Sequence, residues 1–142
     1  MPRSTTASAR PCFKTATPQF SVSNVVATAE YYRKTLGFEV RGFLGDPPVF
    51  ATVGRDGVEI FFNQLPPGHA TTRVRAPVAY DAYLHVTAVD ALAAELRANG
   101  AVIREGPVES GLSHAGADRE RSERPSARLW RGRAGACHLT SA

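Results

Sequence analysis

An α+β fold made of two copies of one β-α-β-β-β module is what this sequence predicts, and three observations predict it. A strand-then-helix pattern occurs twice. Three short strand-like runs follow its first copy. The apolar positions of the two copies superimpose at a constant offset.

Gln19 to Ser23 alternates, with Phe20 and Val22 on one face and Gln19, Ser21 and Ser23 on the other, the pattern of a half-buried strand. Asn24 then offers a helix N-cap, because its side chain can accept from the unpaired amides of the first turn. Ala29, Tyr32 and Leu36 recur on one helical face, and Gly37 closes the helix. The runs Phe38 to Leu44, Val49 to Val53 and Val58 to Asn63 read as strands. Turns at Gly45-Asp46-Pro47-Pro48 and Gly54-Arg55-Asp56-Gly57 separate them.

Leu65 to Pro77 has three prolines, a glycine and no period, so it reads as a linker. Beyond it Ala82, Leu84 and Val86 alternate with Asp81, Tyr83 and His85. Asp90 is the expected N-cap of a second helix with Leu92 and Leu96 on one face and Gly100 at its end, and Ala101 to Val108 is the next strand. Phe20 maps on Leu84, Val22 on Val86, Ala29 on Ala93 and Tyr32 on Leu96, all at an offset of 64 residues. Two copies are too few for a solenoid and point to a duplicated module whose sheets together line a cleft.

The net charge of +4 sits at the ends. Residues 1–16 and 110–142 each carry +3, which leaves −2 on residues 17–109. A nucleic-acid binder needs its positive stripe on the folded surface, so that class is excluded. No apolar run approaches the roughly 18–20 residues that a membrane span needs, so no membrane partner is expected. Cys12 and Cys137 read as free thiols suited to a reducing cytoplasm. The division expected is a disordered lead at 1–16, a first module at 17–64, a linker at 65–79, a partial second module at 80–109 and an irregular tail at 110–142.

The stretch Asn24 to Val40, the run Val58 to Asn63 and the run Val89 to Ala101 resemble the vicinal-oxygen-chelate superfamily. That superfamily includes glyoxalase I, extradiol dioxygenases and bleomycin-resistance proteins. The likeness covers about residues 17–109 and is closest to the bleomycin-resistance branch. It implies paired β-α-β-β-β modules, a small organic ligand and a homodimer with grooves between two chains. Metal-dependent members hold one divalent ion on their first, fourth, fifth and last strands. Carried over by position, those sites fall on Thr17, Glu59 and Asp81, and the last has no counterpart. Thr17 is a poor ligand for the transition metals that such sites hold.

After Glu109 the resemblance stops. Residues 111–142 are rich in Arg, Ser, Gly and Ala, nearly empty of β-branched residues and aperiodic, which reads as an irregular tail and leaves the second module incomplete. Glu123 to Arg128 can be encoded so that a one-nucleotide shift reads Asn-Gly-His-Arg-Leu-Ala, and Leu112 to Gly116 can likewise hide Tyr-Pro-Met-Arg. Both strings resemble the missing end of the family, so the tail is expected to be a frameshifted reading.

Strand alternation places Gln19, Ser21, Glu59, Phe61, Asn63, Tyr83 and His85 on the sheet side opposite the helices. Aromatic rings among a few polar groups are what a small-molecule pocket needs. Phe61 and Tyr83 can stack on a planar ligand. His85 can donate, accept or act as a base near neutral pH. No catalytic constellation accompanies them: there is no nucleophile elbow, no phosphate loop and no zinc-spaced Cys/His set. The leading expectation is therefore metal-independent sequestration of a small organic molecule, without catalytic residue, metal ligand or cofactor. The alternatives are a divalent-metal-dependent lyase, isomerase or dioxygenase using Glu59 with Asp81 or His85, and a degenerate, inactive product.

Overall fold

The computed structural model describes residues 10–69, 82–109, 126–131 and 136–140. The elements run β1 (Gln19–Val22), α1 (Val25–Thr35), β2 (Glu39–Leu44), β3 (Phe50–Arg55), β4 (Val58–Gln64), β5 (Ala82–His85), α2 (Val89–Ala98), β6 (Ile103–Glu109), β7 (Ser126–Arg131) and β8 (Ala136–Thr140). The fold is α+β, as the sequence predicts. One sheet has the order β1-β4-β3-β2 and the other β5-β8-β7-β6.

α1 begins where Asn24 predicts it. The Asn24 side chain accepts from the Ala27 amide at 2.9 Å, which pairs one of the first-turn donors. Gln64, at the end of β4, accepts from the Val25 amide at 2.9 Å and donates to the Ser23 carbonyl, so it ties the helix start to the sheet. Gly37 follows the C-cap Leu36 with φ +71°, a conformation costly for any residue with a Cβ.

The apolar period does the packing. Val25, Ala29 and Tyr32 on α1 are buried against Phe20, Val22, Ala51, Val53, Ile60 and Phe62 of the first sheet. Tyr32 lies edge-on to Phe62 at 4.8 Å and to Phe38 at 5.4 Å between ring centroids. Val89, Ala93 and Leu96 repeat the spacing on α2 and join the same core. Burying a side chain of the size of Phe62 is worth about 1.5–3 kcal/mol, so this stripe dominates the assembly of the layers.

Two expectations are corrected. Asp90 is not the N-cap of α2; Ala88 holds that position, in the left-handed region at φ +49° and with no side-chain cap bond. Val89 is buried, and seating it brings the helix start forward. Asp90 falls in the first turn, where a carboxylate favours the positive end of the helix dipole.

The second correction concerns the C-terminal stretch, read from composition as irregular and as leaving the second module incomplete. Residues 126–131 and 136–140 form β7 and β8 and bring the second sheet to four strands, and Cys137 lies in β8 rather than in an irregular segment. The physical reason is backbone demand. β5 and β6 carry unpaired amides and carbonyls that a neighbouring strand satisfies whatever its side chains. Leu129 on β7 is fully buried in the common core.

The directions of these strands differ from those of the first sheet. There β1 and β4 are parallel, while β4–β3 and β3–β2 are antiparallel. In the second sheet β5–β8 is antiparallel and β6–β7 parallel, with register shifts in the β6–β7 ladder.

Candidate functional site

The first sheet has one face on the helices and one turned away, and pairing registers identify the residues of the second. Gln19 is opposite Phe61 and Ser21 opposite Asn63 on the β1–β4 ladder. Thr52 is opposite Phe61 and Phe50 opposite Asn63 on the β3–β4 ladder. The predicted residues Gln19, Ser21, Glu59, Phe61 and Asn63 are thus neighbours on a single surface. Gln19 and Ser21 are exposed, and Glu59, Phe61 and Asn63 are half-buried.

Phe61 does not stand alone there. Its ring meets Phe50 edge-on, with centroids 5.2 Å apart and planes at 62°. Such a pair presents an apolar edge and a π-face on one platform. Phe50 and Thr52 belong to this face but were not among the predicted residues. The alternation Phe50-Ala51-Thr52-Val53, with Ala51 and Val53 buried, is the signal that finds them.

Glu59 faces a cation. Arg41 Nη1 lies 3.8 Å from Glu59 Oε2, both side chains being partly exposed. A pair so placed is worth about 0–1 kcal/mol, so it orients charge more than it holds the fold. The β2–β3 register shifts between Val40 and Gly42, and the displaced Arg41 crosses over Gly54. A Cβ at Gly54 would meet the Arg41 guanidinium, the far end of a flexible and partly exposed side chain that would have to swing aside. Sequence reading does not find Arg41, because nothing local marks the bulge.

Tyr83 and His85 lie on β5 in the second sheet, both exposed, with ring centroids 5.0 Å apart and ring planes at 63°. Their strand partners are His138 and Ala136 on β8. The structure therefore gathers the seven predicted residues into two groups, five on one sheet and two on the other. Ala82, Leu84 and Val86, the alternate positions, pack on the core as predicted.

Two surface depressions adjoin these faces. One, about 370 Å³, is lined by Ser23, Gln64, Leu65, Pro66, Gly68 and His69 among others. The second, about 240 Å³, is lined by Glu39, Arg41, Gly54, Arg55, Asp56 and Glu95 with Gly37. None of the seven predicted residues lines either one. The second depression shares Arg41 and Gly54 with the Glu59 surface.

The metal positions that the resemblance implies do not form a donor set. Thr17 offers a half-buried hydroxyl, a weak ligand, and Glu59 already faces Arg41. Asp81 lies outside the described residues. Among the described residues, no group of three or more His, Cys, Asp or Glu side chains is placed to hold an ion. Among the same residues, no helix is long and apolar enough to cross a membrane.

No family model and no curated protein matches the sequence. Among solved structures, the chain is similar to the bleomycin-binding protein from bleomycin-producing Streptomyces verticillus, determined in complex with copper(II)-bleomycin. The identity is 20%, the TM-score is 0.53, and the match covers 84% of this chain and 80% of that one. At that identity the likeness is one of fold, and this chain shares the α+β fold of that bleomycin-binding protein.

Proposed function

We propose that this chain binds a small planar organic molecule on the outer face of its first sheet and sequesters it without chemistry, in the manner of the bleomycin-resistance branch of the vicinal-oxygen-chelate superfamily. The observation that carries this reading is the Phe50–Phe61 platform, with Gln19, Ser21 and Asn63 beside it and the Arg41–Glu59 pair at one end. An aromatic edge and face supply most of the contact area for a planar ligand, and the few polar groups fix its orientation. The shared fold with a protein that binds copper(II)-bleomycin supports the same ligand class. Tyr83 and His85 on the second sheet complete the site in this reading.

The proposed assembly is a homodimer. Phe43, Leu44 and Val49 are exposed at the end of the first sheet where β2 turns into β3, an apolar edge suited to a second copy.

The test is a thermal-shift series with planar aromatic compounds, bleomycin and its copper complex included. A ligand that binds only the folded state raises the unfolding midpoint, by about 2.7 kcal/mol in stability at a hundredfold excess over Kd. The expected outcome is a rise with at least one such compound that Phe61→Ala removes. Purification with a stoichiometric divalent metal that Glu59→Ala abolishes would instead support the metal-dependent chemistry and overturn sequestration.

A further inference from the structure

The second sheet copies the strand order of the first but not all its directions. β5 and β6 keep the polarity of their counterparts β1 and β2, while β7 and β8 both run opposite to β3 and β4. The consequence shows in the connections. β2 and β3 are antiparallel neighbours joined by a short turn, whereas β6 and β7 are parallel, which demands a long return of the chain. The duplication is thus intact up to Glu109 and broken from Ser126 onward. The apolar pattern stops matching across the same interval.

We propose that residues 112–132 are a reading, displaced by one nucleotide, of the hairpin that closes the second module. When a reading starts one base later, the third base of each codon becomes the middle base of the next reading, and the middle base decides whether the encoded residue is apolar. Taking CTN for Leu, CGN for Arg and TCN for Ser, no codon choice over Leu112 to Gly132 creates a stop in the displaced frame. One permitted reading of that stretch is Tyr-Pro-Met-Arg-Glu-Leu-Thr-Val-Ser-Val-Pro-Asn-Gly-His-Arg-Leu-Ala-Phe-Gly-Glu-Asp.

The displaced frame thus permits a hairpin whose turn and closing strand have the spacing of β3–turn–β4. Its Asn-Gly stands where the first module has Asp56-Gly57. Its Leu and Phe come three and five residues after that Gly, as the fully buried Ile60 and Phe62 do after Gly57. Ahead of the turn, Leu, Val and Val alternate with polar residues, the period of a half-buried strand, out of step by one residue with Ala51 and Val53, so the loop of this hairpin differs in length by one residue. The hairpin so encoded would restore the first sheet's polarity, with the last strand parallel to β5 and the penultimate one antiparallel to β6. A single base gained between codons 109 and 112 accounts for both breaks, that of sequence and that of strand direction.

The deciding experiment is the nucleotide sequence of codons 109–132 read from source DNA, followed by expression of this chain beside the chain made after removing one base ahead of codon 112. Expected third bases are T at codons 117, 119, 121, 127 and 129, A at 123 and G at 124. Any base but T at codons 127 and 129 removes the Leu and Phe and overturns the proposal. The frame-restored chain is expected to unfold cooperatively, with a midpoint higher by roughly 5 °C or more. An equal or lower midpoint overturns it as well. Neither readout involves a ligand, so this inference and the proposed binding stand or fall separately.

Discussion

Arg55 donates to Glu95 Oε2 at 2.8 Å and, through its other terminal nitrogen, to the Leu36 carbonyl at 2.9 Å. One guanidinium at the end of β3 therefore closes the C-terminus of α1 and clasps α2 of the second module. Replacing Arg55 by Ala leaves a helix-end carbonyl and a carboxylate without this donor, an expected loss of about 1–2 kcal/mol in urea unfolding. Glu95→Gln, which keeps the shape and removes an ion pair already partly exposed, is expected to cost less than about 1 kcal/mol. A double-mutant cycle measures their coupling. A coupling near zero would show that the clasp does not join the modules.

Adjacent residues on β4 separate stability from binding. Phe62 is fully buried and Phe61, on the other face, is half-buried. Phe62→Ala is expected to lose about 3–5 kcal/mol of stability through the cavity it leaves. Phe61→Ala is expected to leave the unfolding midpoint within a few degrees and to abolish the ligand-induced shift. Equal destabilisation by both would argue against an outward binding face.

The two helix starts carry predictions of opposite sign. Asn24→Ala removes the acceptor for the Ala27 amide and is expected to destabilise by about 1 kcal/mol. Ala88→Gly relieves a positive φ at the start of α2 and is expected to stabilise by up to about 1 kcal/mol. Chemical denaturation of the two variants beside the parent chain checks both.

Glu30 provides a pH measurement with a definite sign. The Arg33 side chain donates to its carboxylate at 2.8 Å, which holds the Glu30 carboxyl below its ordinary value. The folded state favours the charged form, so the contribution is present above the ordinary carboxylate range and is lost as pH falls through the lowered value. A carboxyl-carbon NMR titration should find Glu30 titrating below the usual range, and Arg33→Gln should move it back up. The site is on the surface, so the NMR titration rather than global stability is the readout.

Local rules on this chain alone determined most of the elements. Side-chain alternation put Phe20, Val22, Ile60 and Phe62 inside and Gln19, Ser21, Phe61 and Asn63 outside, since strand geometry sends neighbours to opposite faces. Asn24 and Gly37 bounded α1, and the offset between Phe20 and Leu84 exposed the duplication. Only the tertiary structure decided what depends on packing between segments distant in sequence. The bulge that carries Arg41 over Gly54 to Glu59, the Phe50–Phe61 edge contact and the Arg55 bridge to Glu95 join strands and helices whose order no local period records. Val89 overrode the cap signal of Asp90 because burial outweighs a single cap bond. β7 and β8 formed against composition because the edges of β5 and β6 supplied backbone partners, a demand that side-chain patterns cannot express.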